Sequence, residues 1–406
     1  MRSFARVLAA GCLLAGIAGA AAGCSGGDPA AEARRVRDRW VQESADHRRF
    51  DLEISHGATD PVRREQLVAA IADEQFAIAS LALDLLATSP PDEARDALRR
   101  VFDSKGGVLK LRAAEALGRL GDEAAVAFLR DQLADPAQSL DPDVVAVLAE
   151  QGGERLAGPI LAVRTTSDAL SIREEAYAAL GAVRRTWATD RLLEGLEREH
   201  GEERRVAIQA LGRTGDPRVS AAIERFVNTK GLVFVTLEAL GAVGNPAGRA
   251  AVRTMLSSAE PTVRAYAGVA LWRLGAKSEA EPVVAALVRD PEPSARAVLA
   301  DQLRTIDDAQ ARAHLATLAG DPVRPVRIAA LRSIAEAPQP GEQALLLGAA
   351  ADSDYQIQTI ALAALARAGD RDAIEAIRPL LASENPYVAL AASNAIVEIS
   401  ARTSPS

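Results

Sequence analysis

Apolar residues recur along most of this chain at the spacing of one face of a helix. In the stretch "DEAAVAFLRDQL", which starts at Asp122, the side chains of Ala125, Val126, Leu129 and Leu133 share such a face. Asp122 stands before them where an N-cap accepts hydrogen bonds from free backbone N–H groups. The pattern therefore predicts a short helix that buries one face.

A second helix follows in each unit and ends on a leucine. Phrases such as "EPTVRAYA" at Glu260 and "DPVRPVRIAA" at Asp321 supply an acidic N-cap and a proline at the first helical position, where a missing N–H costs nothing. A glycine follows the leucine in "LGRLGD" at Leu117 and in "LGRTGD" at Leu211, and it suits the turn that ends a helix. Together the two patterns predict a repeated pair of helices.

These pairs recur at a nearly constant interval. Steps of 28 to 34 residues separate the closing residues, which are Leu83, Leu117, Leu148, Leu180, Leu211, Leu240, Leu271, Leu303, Leu331, Leu365 and Ile396. A fixed period of this kind is the signature of a solenoid. The chain is therefore predicted to be all-α, with an α-solenoid of about 10–11 repeats of about 31 residues over 59–400.

The recurring phrase D-P-x-V-R-x-x-A-x-x-A-L-G-x-L-G-D resembles HEAT repeats, in particular the short bacterial type first associated with phycobilisome lyases. The resemblance covers roughly 60–400 and implies stacked helical hairpins whose second helices line a long concave surface. With roughly 8–10 Å between packed helices, ten or so units would build a curved rod on the order of 100 Å long. The motif is specific for fold and nearly silent on function.

The first 23 residues have the pattern of a secretory signal. Arg2 and Arg6 precede an apolar run rich in Ala, Gly and Leu, which ends at "AAGC". This ending resembles the lipobox of bacterial lipoproteins, which implies that Cys24 is lipidated and anchors the chain to a membrane of the bacterial envelope. Ser25, rather than Asp, favours the outer membrane, with the chain facing the periplasm. An ordinary cleaved signal is the alternative.

Two further segments flank the repeats. Trp40 and Phe50 lie in a heavily charged stretch, 24–58, which is predicted to be a tether and a helix that covers the open edge of the first repeat. The last residues, 401–406, read "ARTSPS" and are predicted to be a disordered tail. Cys12 and Cys24 are the two cysteines, so a chain that starts at Cys24 has no internal disulfide and depends on packing.

Composition limits which kinds of partner and which kinds of active site the chain can have. A net charge of -8 argues against nucleic-acid binding, which needs a basic surface. The four histidines have no spacing typical of metal sites, and no G-x-S-x-G elbow, P-loop or Cys/His cluster occurs. We therefore expect no catalytic residue, no metal site and no cofactor.

Arginine supplies the candidate binding residues. Arg119, Arg213, Arg273 and Arg367 each stand two residues after a closing leucine, and they would form a discontinuous basic stripe for an acidic partner if they face the groove. The alternative is solvated charge paired with nearby glutamates. Trp187, in the apparent loop "RRTWATD", is a further candidate because tryptophan is common at the energetic centres of interfaces.

A second set of arginines follows the caps of the second helices. They are predicted to form a ladder that bonds to caps in neighbouring repeats. The set consists of Arg112, Arg173, Arg205, Arg264, Arg296 and Arg327.

These features favour a binding module. The predicted function is a lipid-anchored extracytoplasmic scaffold that holds a protein or peptide partner along its concave face, without catalysis. Two alternatives stay open. One is a structural spacer or assembly factor of the envelope, and the other is a bilin-lyase-like enzyme or small-ligand binder, which the resemblance to the short HEAT type suggests.

Overall fold

The structure, a computed structural model, describes residues 28–54, 61–133 and 141–403. The signal segment, Cys24 and residues 404–406 lie outside these ranges. Within the ranges the chain forms α-helices and short 3-10 helices, with no strand, and none of its helices has the length and apolarity to cross a membrane. The helices are α1 (Pro29–Glu43), α2 (Ala45–Ile54), α3 (Pro61–Ala70), α4 (Phe76–Ala87), α5 (Arg95–Ser104), α6 (Gly107–Arg119), α7 (Glu123–Gln132), α8 (Pro142–Gly152), α9 (Glu154–Arg164), α10 (Leu170–Val183), α11 (Thr186–Arg198), α12 (Gly201–Thr214), α13 (Val219–Ile223), α14 (Val233–Val243), α15 (Arg249–Arg253), α16 (Pro261–Arg273), α17 (Lys277–Leu287), α18 (Pro293–Leu303), α19 (Ala309–Ala319), α20 (Arg324–Glu336), α21 (Gln343–Ala350), α22 (Tyr355–Ala368), α23 (Arg371–Ile377) and α24 (Pro386–Thr403).

The helices form two layers. Each odd-numbered helix packs against the even-numbered helix that follows it, and consecutive even-numbered helices pack closely side by side. Consecutive odd-numbered helices touch little. Because the more closely spaced layer lies on the inside of a curved stack, the even-numbered helices form the inner, concave layer. This arrangement is the predicted all-α solenoid of helical hairpins.

Small residues allow the close approach of the inner helices. A Cβ atom on Gly181 of α10 would lie 2.8 Å from the Cα of Ala210 in α12, and one on Gly212 would lie 2.8 Å from the Cα of Ala239 in α14. In the outer layer, by contrast, two phenylalanines fill the space between α5 and α7, with ring centroids 5.4 Å apart. Small residues inside and larger ones outside give each repeat a wedge shape, which curves the stack.

The two ends of the stack meet. α1 packs along α24, where Ser393 Oγ donates a hydrogen bond to the backbone oxygen of Ala33 at 2.7 Å. The Asn394 side chain donates to the backbone oxygen of Ile54, at the end of α2, at 3.2 Å. α2 packs against both α24 and α4. The α1–α2 hairpin is therefore one more helical pair, and it closes the solenoid into a ring.

This closure differs from the expected curved rod with a capped first repeat. α24 is buried along its length, from Val388 to Ile399 without interruption, as is typical of a core helix rather than of an end helix. Its last turn also reaches Thr403, beyond the predicted start of the disordered tail at 401, because Arg402 donates to the backbone oxygen of Ala366 at 2.7 Å. The N-terminal segment thus covers the last repeat as well as the first.

The ring has room at its centre. Its twelve inner helices, taken about 9 Å apart, lie on a circle about 35 Å across, which leaves an opening of about 25 Å once helix thickness is subtracted. Within the described ranges, extensive helix contacts occur only between neighbours along the ring. Side chains on the inward side of the inner helices therefore face solvent.

The inner face as candidate binding site

A stripe of exposed side chains follows the inner helices. Beyond the first turn of α12 the exposed residues are Gln209 and Arg213, and in α14 they are Phe234 and Glu238. Residues four apart lie one turn apart on a single helix face. The stripe continues through α16 with the half-buried Tyr266 and Arg273, and through α18, α20 and α22 with the exposed residues Asp301, Arg304, Arg332, Glu336 and Arg367.

Arg119, the first arginine of the predicted stripe, holds neighbouring repeats together. Its Nη1 donates to the backbone oxygen of Ala87, at the end of α4, at 2.6 Å. Its other nitrogens lie 4.0 Å from Asp143 and 3.8 Å from Glu150, both on α8. Since this guanidinium is nearly buried and already surrounded by acceptors, Arg119 is less available to a partner than the other three.

Arg213, Arg273 and Arg367 lie on the inner stripe without an ion pair among the described residues. The stem of Arg273 lies over α14, where a Cβ on Gly241 would be 3.6 Å from its Cδ. Burial lowers the pKa of the half-buried Arg273, while nearby Glu238 raises it. These arginines can therefore offer guanidinium N–H groups to the centre of the ring.

Sequence reasoning missed the aromatic part of this stripe. Phe234 is 42% exposed, and its ring centroid lies 5.1 Å from that of Tyr266 on the next inner helix. Burial raises the pKa of Tyr266, and the carboxylates of Glu238 and Asp301 raise it further. Phe234 stands one helical turn before Glu238 in "LVFVTLEALG", a spacing that could have placed both on one face.

The stripe is not uniformly basic. Arg304 lies 3.4 Å from Asp301 in its own helix and 3.4 Å from Glu336 in the next inner helix. Arg213 and Glu238 together line a small cavity of about 80 Å³ between α12 and α14. Acidic and basic side chains therefore alternate along the inner face.

Arg112 joins three inner helices. Its guanidinium lies 2.9 Å from Asp84 in α4, 3.0 Å from Glu115 in its own helix, and 3.1 Å from Asp141, the N-cap of α8. Glu115 is fully buried, and burial raises its pKa to about 7 although Arg112 opposes the shift. This link between consecutive repeats lies in the part of the inner face where Arg119 is also engaged.

Four more arginines of the predicted ladder bond to the turn before their own helix and reach an acid in the next repeat. Arg296 donates to the backbone oxygen of Asp290 at 2.6 Å and to both carboxylate oxygens of Asp321 at 2.6 and 3.0 Å. This hydrogen bonding lowers the pKa of Asp321. The other acids reached are Glu203 from Arg173 at 2.9 Å, Asp290 from Arg264 at 3.2 Å, and Asp352 from Arg327 at 3.7 Å.

Arg205, the remaining residue of that set, does not reach the next repeat. It pairs with Glu202 in its own helix. The position seven residues before the closing Leu211 belongs instead to Arg204, whose guanidinium lies 5.1 Å from the ring centroid of Phe226. One residue along a helix turns a side chain by about 100°, and α14 has no side-chain cap to receive Arg205.

Trp187 lies in the outer layer. The predicted loop is only two residues long, because Arg184 adopts a left-handed conformation with φ 49° and α11 begins at Thr186. Trp187 is half-buried and packs against the core. It is thus on a different face from the arginine stripe, and its role in binding stays a prediction.

Metal ligands do not gather in the described part of the chain. No group of three or more His, Cys, Asp and Glu side chains there could hold a metal ion. His47, one of the four histidines, lies with its Nδ1 3.1 Å from the backbone oxygen of Trp40 in the closing hairpin.

Comparisons with known proteins identify the repeats. A family model described as HEAT repeats matches residues 64–150, 249–335 and 280–365, together half of the chain. No curated protein matches the sequence. Among solved structures, the chain is similar to the complex of CpcE and CpcF of phycocyanin lyase from Nostoc sp. PCC7120, with 18% identity over 68% of this chain and 87% of that chain and a TM-score of 0.37.

Two further structures are similar at low identity. Kap121p is 14% identical over 90% of this chain and 49% of that chain, with a TM-score of 0.34. Human deoxyhypusine hydroxylase in complex with glycerol is 15% identical over 70% of this chain and 98% of that chain, with a TM-score of 0.28.

Proposed function

This chain belongs to the family of HEAT-repeat proteins, and on that premise we propose that it is a scaffold, not an enzyme, that binds a protein or peptide partner on its inner face. The observation that carries the proposal is the inner stripe, which combines an exposed aromatic ring at Phe234 with arginines that make no ion pair in the described structure. Aromatic residues and arginine are the types that dominate binding energy at protein interfaces.

The ring geometry supports a binding function more than the function of a structural spacer. A spacer depends on length between two free ends, whereas the ends of this solenoid are packed together through α1 and α24. An opening of about 25 Å admits an extended segment or a single helix, which is about 10–12 Å in diameter. A partner inside the ring would meet protein surface on several sides.

We further propose that the scaffold is lipid-anchored through Cys24 in the bacterial envelope, on the outer membrane and facing the periplasm. The apolar run and the small residues before Cys24 support this location. Asp28 caps α1, so three residues separate Cys24 from the cap. A lipid on Cys24 would therefore hold the ring close to the bilayer.

Site-specific photocrosslinking in cells tests the binding function. A photoreactive residue replaces Gln209 on inner helix α12, and the control places it at Glu194 on outer helix α11, which is also exposed. We expect a discrete protein partner to crosslink at position 209 and not at position 194. Crosslinks confined to position 194, or absent from both, would overturn inner-face binding.

A second experiment tests the anchor separately. Cells are fed an alkyne fatty acid, and the parent chain is compared with Cys24→Ala. We expect the parent to be labelled and membrane-bound, and the variant to be unlabelled and released. Equal membrane retention of the variant would refute the lipid anchor without affecting the binding proposal.

A further inference from the structure

The arc of the ring from α12 to α22 has more cations than its acids neutralise. Arg304 is already paired with Asp301 and Glu336. Four inner-stripe cations make no ion pair among the described residues, namely Arg213, Arg273, Arg332 and Arg367. On a chain with a net charge of -8, this arc therefore presents a local positive excess to the centre of the ring.

An apolar surface lies within the same arc. Phe234 on α14 is exposed and contacts the ring of Tyr266 on α16. Arg213 lies on the inner helix before this pair, and Arg273 lies on α16 itself, with its stem packed over Gly241. Both arginines stand at the C-terminal ends of their helices, about two turns from the rings, and Glu238 lines a cavity with Arg213. An arc with an aromatic surface and an excess of guanidinium groups is suited to a partner that combines apolar and acidic side chains.

The opposite arc, from α4 to α8, lacks these properties. Its cation Arg112 is held by three carboxylates, and Arg119 is held by a backbone oxygen with two carboxylates nearby. Neither guanidinium has the freedom of Arg213 or Arg367 to meet a carboxylate from a partner. The two arcs of one ring thus differ in the chemistry that they offer.

We propose that the arc from α12 to α22 binds an acidic peptide segment that carries a large apolar side chain. The apolar side chain rests on Phe234 and Tyr266, and carboxylates elsewhere in the segment pair with Arg213 and Arg273, toward the C-terminal ends of their helices. Arg332 and Arg367 extend the contact, since planar guanidinium groups bind carboxylates through two parallel hydrogen bonds. This inference rests on the proposed inner-face binding and names the chemistry of the partner.

The geometry sets the length of the segment. At the inner surface, on a circle about 25 Å across, five of the twelve steps cover about 33 Å, which an extended chain crosses in about ten residues at about 3.3 Å each. A suitable probe is a fluorescein-labelled peptide of that length, with Phe and Leu at its centre and Asp or Glu at the other positions. A matched peptide replaces each acidic residue by Lys.

Fluorescence anisotropy with the full chain measures binding of the two peptides at low and at near-physiological salt. We expect the acidic peptide to bind at least tenfold more tightly than the basic one, and more weakly as salt rises. Phe234→Ala should weaken binding at least fivefold, and Arg273→Glu or Arg367→Glu at least tenfold. Arg289→Glu is the matched control, since Arg289 is an exposed arginine without an ion pair in the described structure, next to the end of outer helix α17.

Several outcomes would overturn the inference. Equal binding of the basic peptide, equal loss in the Arg289→Glu control, or no loss in Phe234→Ala and Arg273→Glu would each do so. Tighter binding of a short oligo-dT would assign the arginines to phosphates instead. Circular dichroism of each variant, and Arg367→Glu as a second variant at an exposed site, separate lost binding from lost folding.

The result is distinguishable from a failure of the proposed function. If a partner crosslinks at position 209 but the acidic peptide does not compete with it, inner-face binding stands and the acidic chemistry is wrong. If the acidic peptide binds through Phe234 and Arg273 while no cellular partner crosslinks, the site stands and the scaffold function fails.

Discussion

The junction between α10 and α12 and the junction between α24 and α1 both join helices of one ring, but by different means. At the first, Gly181 brings two backbones into contact, and Arg173 bonds to Glu203 at 2.9 Å. At the second, α1 packs on α24 through Ala33, but its outer side borders a cleft of about 690 Å³ next to the last outer helix. Arg378 and Glu32 span this cleft at 2.7 Å with partly exposed side chains.

The difference indicates which of these two junctions separates more easily. Dry backbone contact at a glycine excludes water, whereas an exposed ion pair contributes about 0–1 kcal/mol. Aromatic edges support the closure, since the ring of Tyr387 lies 5.1 Å from Phe50 and 5.7 Å from His47. We therefore expect the ring to open between α24 and α1 before the α10–α12 junction separates.

The largest loss of stability should come from the predicted arginine ladder, at its buried member Arg296. Arg296→Ala removes two hydrogen bonds from the buried carboxylate of Asp321 and leaves it only the backbone N–H of Val323, and breaking a buried pair in this way costs about 3–5 kcal/mol. Amide hydrogen exchange in α18 and α20 should accelerate at least a hundredfold. Arg205→Ala is the control, because an ion pair within one helix contributes about 0.2–0.5 kcal/mol. Similar exchange in both variants would mean that the ladder adds little to the repeats.

A smaller effect is expected from the same substitution at two glycines. Gly181→Ala forces a methyl group against the backbone of Ala210, and overpacking of this kind costs about 1–3 kcal/mol. Gly348→Ala in α21 meets no atom within 4 Å and should stabilise its helix by about 0.5–1 kcal/mol. Thermal unfolding of the two variants should shift in opposite directions. If both variants lost stability, close packing at Gly181 would not explain the curvature of the inner layer.

The repeats and their layers could be predicted because each helix carries its own periodicity and turn signals. Ring closure could not, because it joins residues more than 300 positions apart, such as Ala33 and Ser393. One local signal was present. The last helix, "YVALAASNAIVEIS", has a single charged residue and apolar residues around most of its circumference, so it needs a partner on the face where the stack was expected to end.

The candidate site was predicted only in part. Spacing placed Arg213, Arg273 and Arg367 on the inner stripe, but it could not show that Arg119 bonds to Ala87. Arg205 was one position out of register, since a helix turns about 100° per residue and an error of one residue moves a side chain to another face. Phe234 was missed because, within an apolar run, sequence alone does not distinguish a buried aromatic ring from an exposed one.

The junction around Arg112 gives a prediction for how the stability of the fold depends on pH. The pKa of Glu115 is raised to about 7 by burial, above its usual value of 4.5, so the folded chain binds more protons than the unfolded chain between these values. Stability should therefore fall as pH rises from about 5 to about 8. Glu115→Gln should flatten this dependence and add about 2–3 kcal/mol at pH 8, because the amide keeps a hydrogen bond to Arg112 and loses the cost of burying a charge.

Urea unfolding at pH 5 and pH 8 measures this effect. The parent and the variant should be nearly equal at pH 5, where Glu115 is protonated in the folded chain. If the free energy of unfolding of the parent chain rose with pH over this range, the ionised form of Glu115 would stabilise the fold. That result would contradict the argument from burial.

The smallest effect on stability is expected from a substitution that opens the ring and leaves the repeats folded. Ala33→Leu adds bulk where α1 packs on α24, so we expect α1 to detach while the repeats stay folded, with a cost elsewhere of less than about 1 kcal/mol. Small-angle X-ray scattering should show a larger radius of gyration, and hydrogen exchange should increase in α1 but not in α10 or α12. Arg35→Leu places the same side chain on the exposed face of α1 and should leave the ring closed. If α10 and α12 exchange faster together with α1, the closure and the ordinary junctions unfold as one unit, and the ring has no preferred place to open for a partner.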